Sequence, residues 1–333
     1  MRTTRNHQKG IAAITAMLVV TIAAVLAVEL AWQTNLDLRR TEGLIAWEQA
    51  HQFALGAEAL AAKVLREDLE RSTAEPVDWL GEDWARPTAF NLDQGGMTGG
   101  LVDLQGRFNL NNLVRQDGSR DDLVYQQFQR LLAALDLDPA LADAVVDWID
   151  PDTTAEFSGA EDDAYTGLDP PYRAANFWFT SVSELRAVRG VEREVFEILA
   201  PNLAALPVGA KPTTINVNTA TPAVLQSLGD NVSLSNVEQW VTDRGNEPFE
   251  DLTFFQEYID AAMQPYLGVT SSYFGLQGTI VIGSHQLAMY SLLERAGLGV
   301  AVRLRSFDAV EIVPPGDRSE TPAKDTEAAD QNG

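Results

Sequence analysis

The chain has no cysteine, only 3 histidines, and half as many basic side chains as acidic ones. Without cysteine there are no disulfides and no thiol nucleophile, so a protein working in an oxidising compartment needs another staple, of which a bound metal is one. Once the basic N-terminal segment is set aside, His51 and His285 are the remaining histidines. HExxH, P-loop and GxSxG motifs are also missing, which argues against an enzyme. Carboxylate-dependent hydrolysis is the catalytic class that composition leaves open, because an acidic loop can hold both an acid and a base. The 24 Lys and Arg against 48 Asp and Glu give a net charge of −24. Such a surface repels nucleic acid and anionic headgroups alike. With 333 residues, 45% of them hydrophobic, the chain can bury one large or two modest cores.

Long apolar runs are also scarce, and the single one present is at the N-terminus. Arg2, Arg5 and Lys9 precede Gly10, and Ile11 to Val28 then runs for eighteen residues without a charge. A helix of that length just spans a hydrocarbon core, and the basic residues before it keep the N-terminus cytoplasmic. No small-residue cleavage site follows the run, as it would in a secretory signal. The small residue comes first instead, an order that resembles the prepilin leader of type IV pilins and type II secretion pseudopilins. That resemblance implies cleavage between Gly10 and Ile11, with the apolar helix retained. Loss of the leader takes the charge to 21 − 48 = −27. Taken alone, these residues also fit an uncleaved signal anchor.

From Leu30 to about Arg71 the apolar positions keep a helical period with no proline before Pro76, so the membrane segment continues as a stalk whose second half is amphipathic. Residues 72–100 are turn-rich, and a strand is expected over Gly100 to Phe108. Asp121 to Leu206 and Thr213 to Leu267 read as helical. Thr270 to Pro314 alternates in the manner of three antiparallel strands, and the tail 315–333 is acidic and poor in apolar residues. The strand near residue 103 and the three C-terminal ones are expected to share one sheet, with the helical middle inserted between them.

The stretch Leu131 to Tyr172 holds eleven carboxylates and no lysine or arginine. Like charges at this density repel unless water or a cation separates them, and hard divalent cations prefer oxygen ligands. Calcium is the natural candidate. With Asp150 counted as the first position of an EF-hand, Asp152 falls third, Thr154 fifth and Glu161 twelfth, but Ala155 stands at the sixth position, where glycine is required. The loop is therefore no EF-hand, and a merely solvated acidic loop fits the residues too. Further along, "INVNTATPAVLQSL" and "SELRAVRGVEREVFEIL" resemble degenerate copies of the helix-hairpin-helix of DNA-binding competence proteins. The first carries "GDNVSLS" where those proteins present a Gly-x-Gly phosphate cradle. Packing scaffolds, and not DNA readers, are expected from both.

The leader together with "DWLGEDWA", "GRFNLNNL", "DWIDPD", "GAEDDAY", "PPYRAAN", "SVSELR" and "INVNTA" resembles the general secretion pathway protein K family, the large minor pseudopilin of type II secretion. The matches run in family order from Lys9 to about Leu228. The resemblance implies an α+β fold in which a pilin-like stalk helix packs on an antiparallel β-sheet carrying a large α-helical insertion, SAM-like or degenerate helix-hairpin-helix. On that reading the chain divides into a leader (1–10), a transmembrane and stalk helix (11–71), the first part of the pilin-like domain (72–108), an inserted helical domain with the acidic loop (109–267), C-terminal strands (268–314) and the tail (315–333). It further implies calcium on Asp147, Asp150, Asp152, Glu161 and Asp162, N-methylation of Ile11, and a non-enzymatic role capping and nucleating the tip of the pseudopilus for export across the outer membrane. The implied partners are minor pseudopilins I and J, H through them, the major pseudopilin G, the prepilin peptidase and the inner-membrane assembly platform, with no nucleic acid. The implied location is the bacterial inner membrane, single-pass, with the bulk periplasmic.

Thr15 bears on position in the fibre. It is the fifth residue after the expected cut, where most pilins carry a glutamate that pairs with the N-terminal ammonium of a neighbouring subunit. A subunit with no neighbour ahead of it has reason to lack an unpaired carboxylate in lipid, although a threonine that simply bonds back to its own helix is equally compatible. Two other classes stay open at this stage: a DNA-capturing competence-type minor pilin, which the charge opposes, and a membrane-anchored carboxylate-dependent hydrolase.

Overall fold

The computed structural model describes residues 5–71, 76–92, 95–297 and 299–307, with the backbone alone for residues 5–11. Arg2, the side chain of Ile11, the expected strand end at 308–314 and the tail 315–333 lie outside the described residues. The fold opens with helix α1 (Arg5–Arg71), 67 residues long. Its N-terminal part is long and apolar enough to cross a membrane, with a mean hydropathy of 2.4 over its most apolar window. The C-terminal half packs on a sheet through Ala46, Ala50, Ala54, Ala61 and Leu65, which recur at helical spacing and are all buried. Alanine at these positions lets the backbone lie close to the strands. Glu58 falls in the same stripe and is held by Arg305 at 2.5 and 2.8 Å and by the Ser291 hydroxyl at 2.8 Å.

Five antiparallel strands form that sheet in the order β1-β2-β7-β8-β9. The first two, β1 (Thr88–Leu92) and β2 (Gly95–Asp103), precede the insertion. Short β3 (Phe108–Asn109) leads into α2 (Asp122–Ala134), α3 (Leu141–Ile149), α4 (Asp162–Thr166) and α5 (Arg193–Leu199). After these come β4 (Leu203–Ala204), β5 (Ile215–Asn216), α6 (Pro222–Gln226), α7 (Leu234–Asn246) and β6 (Leu267–Gly268). The chain then returns as β7 (Tyr273–Ile282), β8 (His285–Ala296) and β9 (Gly299–Phe307). Asp103 on β2 lies opposite Phe274 on β7, so everything between is an insertion leaving and re-entering at neighbouring positions of one sheet.

Residues 88–100 correct the turn-rich expectation. They form a hairpin in which Thr88 opposes Gly99 and Leu92 opposes Gly95, and β2 continues along β7 from Gly95. The glycines conceal a strand because Gly95 and Gly99 lie so close to the β7 backbone that a Cβ at either would collide with a carbonyl. Inside the insertion, α3, α4 and α5 are separated by long irregular segments, so Asp121 to Leu206 is less helical than its apolar content suggests. The insertion has its own core, built on Phe108 stacked on Phe128 at 5.0 Å, with Leu131, Leu132, Val145, Val146 and Trp240 around it.

A buried polar junction fixes the insertion on the sheet. The Asp103 carboxylate accepts from Thr219 at 2.5 Å, Ser271 at 2.6 Å and Asn216 at 3.0 Å, while Arg295 reaches Asp78 at 2.5 Å and the Ser271 carbonyl at 2.8 Å. Every strand segment that enters or leaves the insertion is tied into this network, which satisfies groups that would otherwise be buried unpaired.

Candidate metal centre

Helix α3 carries Asp143 and Asp147 one turn apart, and Asp150 follows at its C-cap, so all three project toward the loop 150–161. All are buried, Asp147 completely. Asp143 and Asp147 hold the far side of that loop. The Ser158 N–H donates to Asp143 at 2.9 Å, and the Glu156 N–H donates to both Asp147 oxygens at 3.1 and 3.2 Å. Glycine is needed at 159, because a Cβ there would run into the Asp147 carboxylate.

The loop thereby brings Glu161, the residue before α4, back to the end of α3. One carboxylate oxygen from each of Asp150, Asp152 and Glu161 lies within 4.8 Å of the others. Asp150 Oδ1 and both Glu161 oxygens are buried with no hydrogen-bond partner among the described residues. The basic residues that reach this region stop at its rim: Arg120 pairs with Glu156 at 2.6 Å, Arg173 with Asp162 at 3.7 Å, and Arg189 donates to the Gly159 carbonyl at 3.3 Å. Burial, reinforced by Asp152 and Asp147, pushes Asp150 up to about 6. Glu161 rises to about 7, first through burial and then through Asp147, Asp150 and Asp152, and burial raises Asp147 as well. Buried oxygens without partners, and pKa values raised by burial and then by neighbouring carboxylates, describe a site that lacks positive charge. The donors are all hard oxygens, which suits calcium or magnesium and not a metal that seeks nitrogen or sulfur.

Of the five residues singled out as ligands, the structure gathers Asp150, Asp152 and Glu161 directly. Asp147 adjoins them but spends both oxygens on loop backbone. Asp162 faces the neighbouring loop, accepting from Ala174 N at 3.1 Å and pairing with Arg173. Asn176 was missed by the sequence reading. It stands at φ +45°, donates to the Asp152 carbonyl at 3.1 Å and keeps a buried Oδ1 without a partner among the described residues. A neutral amide 24 residues from Asp152 gives no charge signal in the sequence. Gly10 and Ile11 lie within α1, and the Thr15 hydroxyl donates to the Ala12 carbonyl at 3.0 Å.

Among the described residues a second acidic group, Asp68, Asp78 and Glu82, is also close enough to hold an ion. There Arg295 bonds Asp68 and Asp78, and Glu82 accepts from Trp79 N at 3.0 Å and Trp84 Nε1 at 2.7 Å. Each of its carboxylates therefore has a partner.

A long apolar N-terminal helix laid on an antiparallel sheet, with a separate helical body inserted between strands, is the architecture of a pilin-like subunit of large head. Family models described as "Type II secretion system (T2SS), protein K" match residues 106–208 and 215–275. The chain is 37% identical over 305 residues to the type II secretion system protein K of Pseudomonas aeruginosa, covering 87% of this chain and 90% of that protein. It is 36% identical over 327 residues to the protein K of Aeromonas hydrophila, covering 91% and 98%. The solved GspK-GspI-GspJ complex from enterotoxigenic Escherichia coli contains a chain of similar fold, with a TM-score of 0.69 and 27% identity over 81% of this chain and 100% of that one. The chain belongs to the type II secretion system protein K family.

Proposed function

We propose that this chain is a minor pseudopilin that assembles with partners of the I and J type, and through them H, at the tip of the type II secretion pseudopilus, nucleating and capping the fibre. The observation that carries this reading is the insertion. A body with its own core, seated between β2 and β7, makes the head too wide to stack repeatedly along a thin fibre, whereas a tip has free space beyond it. The solved relative in complex with GspI and GspJ supports the same partners. Thr15 agrees, being neutral and bonded within its own helix where a stacking subunit needs a carboxylate. Cleavage after Gly10, methylation of Ile11 and an inner-membrane anchor with the head in the periplasm follow from the leader pattern. So do dependence on the prepilin peptidase and the assembly platform, and contact with the major pseudopilin G.

Calcium is the proposed staple of the inserted domain. Asp150, Asp152 and Glu161 would hold it, with Asp147 and Asp162 completing the acidic wall, and the ion would supply the charge that the orphaned oxygens lack. Its role is structural, so no catalytic step is required. Immunogold labelling of assembled pseudopili should mark fibre ends, and deletion of the gene should abolish export. Label along the whole shaft, or normal export in the deletion strain, would refute the tip role.

A further inference from the structure

The turn at the crest of the acidic loop presents Phe157 with a relative exposure of 102%, so none of the described residues covers its ring. Single exposed apolar residues are ordinary, but this one is held out. The Gly159 N–H closes the turn on the Glu156 carbonyl at 3.0 Å, with Phe157 and Ser158 at its two central positions. Asp147 takes the Glu156 N–H, Asp143 takes the Ser158 N–H, and Arg189 donates to the Gly159 carbonyl. Arg120 grips the Glu156 side chain and lies 4.3 Å over the ring of Tyr125, whose hydroxyl in turn donates to Asp143. With the backbone fixed on both sides, the Cα–Cβ bond of Phe157 is held pointing outward, and little backbone freedom remains to be lost when something covers the ring. Aromatic residues pre-organised in this way are typical anchors of protein interfaces.

We infer that Phe157 anchors a docking surface for a protein partner that offers an apolar pocket rimmed by lysine or arginine. Charge selects this occupant. The stretch of chain that forms the turn holds no lysine or arginine and eleven carboxylates, which outnumber the two arginines that reach the turn, Arg120 and Arg189, in a chain of net charge −24. A second copy of the chain and an anionic lipid surface would both be repelled, whereas a basic rim gains on approach. The inference goes beyond the tip assignment and is independent of it, because the turn is held by Asp143, Asp147, Arg120 and Arg189 wherever the subunit sits in the fibre.

The test places a photoreactive benzoyl-phenylalanine at position 157 of the full-length chain in secreting cells. The control carries the same probe at Phe254, an aromatic of 43% exposure elsewhere on the insertion. A discrete adduct is expected at 157 and not at 254, with the crosslinked peptide in an apolar pocket beside Lys or Arg. Changing those basic residues to Glu should cut the adduct at least tenfold, and Asp143→Ala, which loosens the turn, should reduce it as well. Phe157→Ala should weaken binding of the purified partner at least tenfold and leave the melting temperature unchanged, since the ring is fully exposed among the described residues. The inference is overturned by an adduct to a second copy or to lipid, by identical adducts at 157 and 254, or by a captured surface without basic residues. A tip assignment that failed by immunogold would leave these outcomes unaffected.

Discussion

Glu161→Gln should affect the protein in opposite directions with and without calcium, and the crossing separates a metal site from a solvated acidic loop. In the cation-free protein, Glu161 is 5% exposed, with its pKa raised from 4.5 to about 7. The difference, 7 − 4.5, is about 2.5 units, or about 3 kcal/mol against the ionised form at pH 8. Glutamine keeps the shape and removes the charge, so in EDTA the variant should exceed the wild type by up to about 3 kcal/mol. For an inserted domain of this size that corresponds to about 6–12 °C in its melting transition. Asp150 contributes no separate sum, because its own rise comes from burial and from the same carboxylate cluster. With calcium at about 1,000 times its dissociation constant, binding adds about 4.1 kcal/mol to the wild type, more than the variant's gain of about 3, so a variant lacking one of three clustered carboxylates and most of that binding should melt below it. Calorimetry of the detergent-solubilised chain at pH 8, with and without calcium, reads both arms. Equal shifts of the variant in the two conditions, or a wild type indifferent to EDTA, would refute the reasoning.

Gly159→Ala should force the Asp147 carboxylate aside, costing about 1–3 kcal/mol and weakening calcium binding in isothermal titration, without altering the sheet. Arg295→Ala should cost about 3–5 kcal/mol in urea unfolding, because it leaves Asp78, which is 2% exposed, as an uncompensated buried charge at the junction. Glu82 provides a pH test. Burial raises it from 4.5 to about 7, so the folded chain keeps this proton to higher pH than the unfolded one, and stability should fall as pH rises between those values. Glu82→Gln should flatten that slope and gain about 1–2 kcal/mol at pH 8, allowing for partial exposure, as read from melting curves across pH 5–8.

What the sequence determined by itself was whatever depends on local pattern. Eighteen uncharged residues after a basic segment specify a helix long and apolar enough to cross a membrane, the unbroken period to Arg71 specifies its extension, and alternation after Thr270 specifies strands, because each rests on the spacing of neighbouring side chains. The acidic loop was legible as charge density for the same reason. Tertiary structure alone decided which carboxylates would converge. Asp143, Asp147, Asp150, Asp152, Glu161 and Asp162 look alike in composition, yet two of them bond loop backbone, one pairs with Arg173, and three are left facing one another. That division depends on how the loop folds back from α3 to α4, a closure set by the insertion's core and by Gly159. The β1–β2 hairpin was hidden for a related reason. Its glycines signal turns locally and become strand residues only when β7, some 170 positions later in the chain, lies against them and supplies the hydrogen bonds.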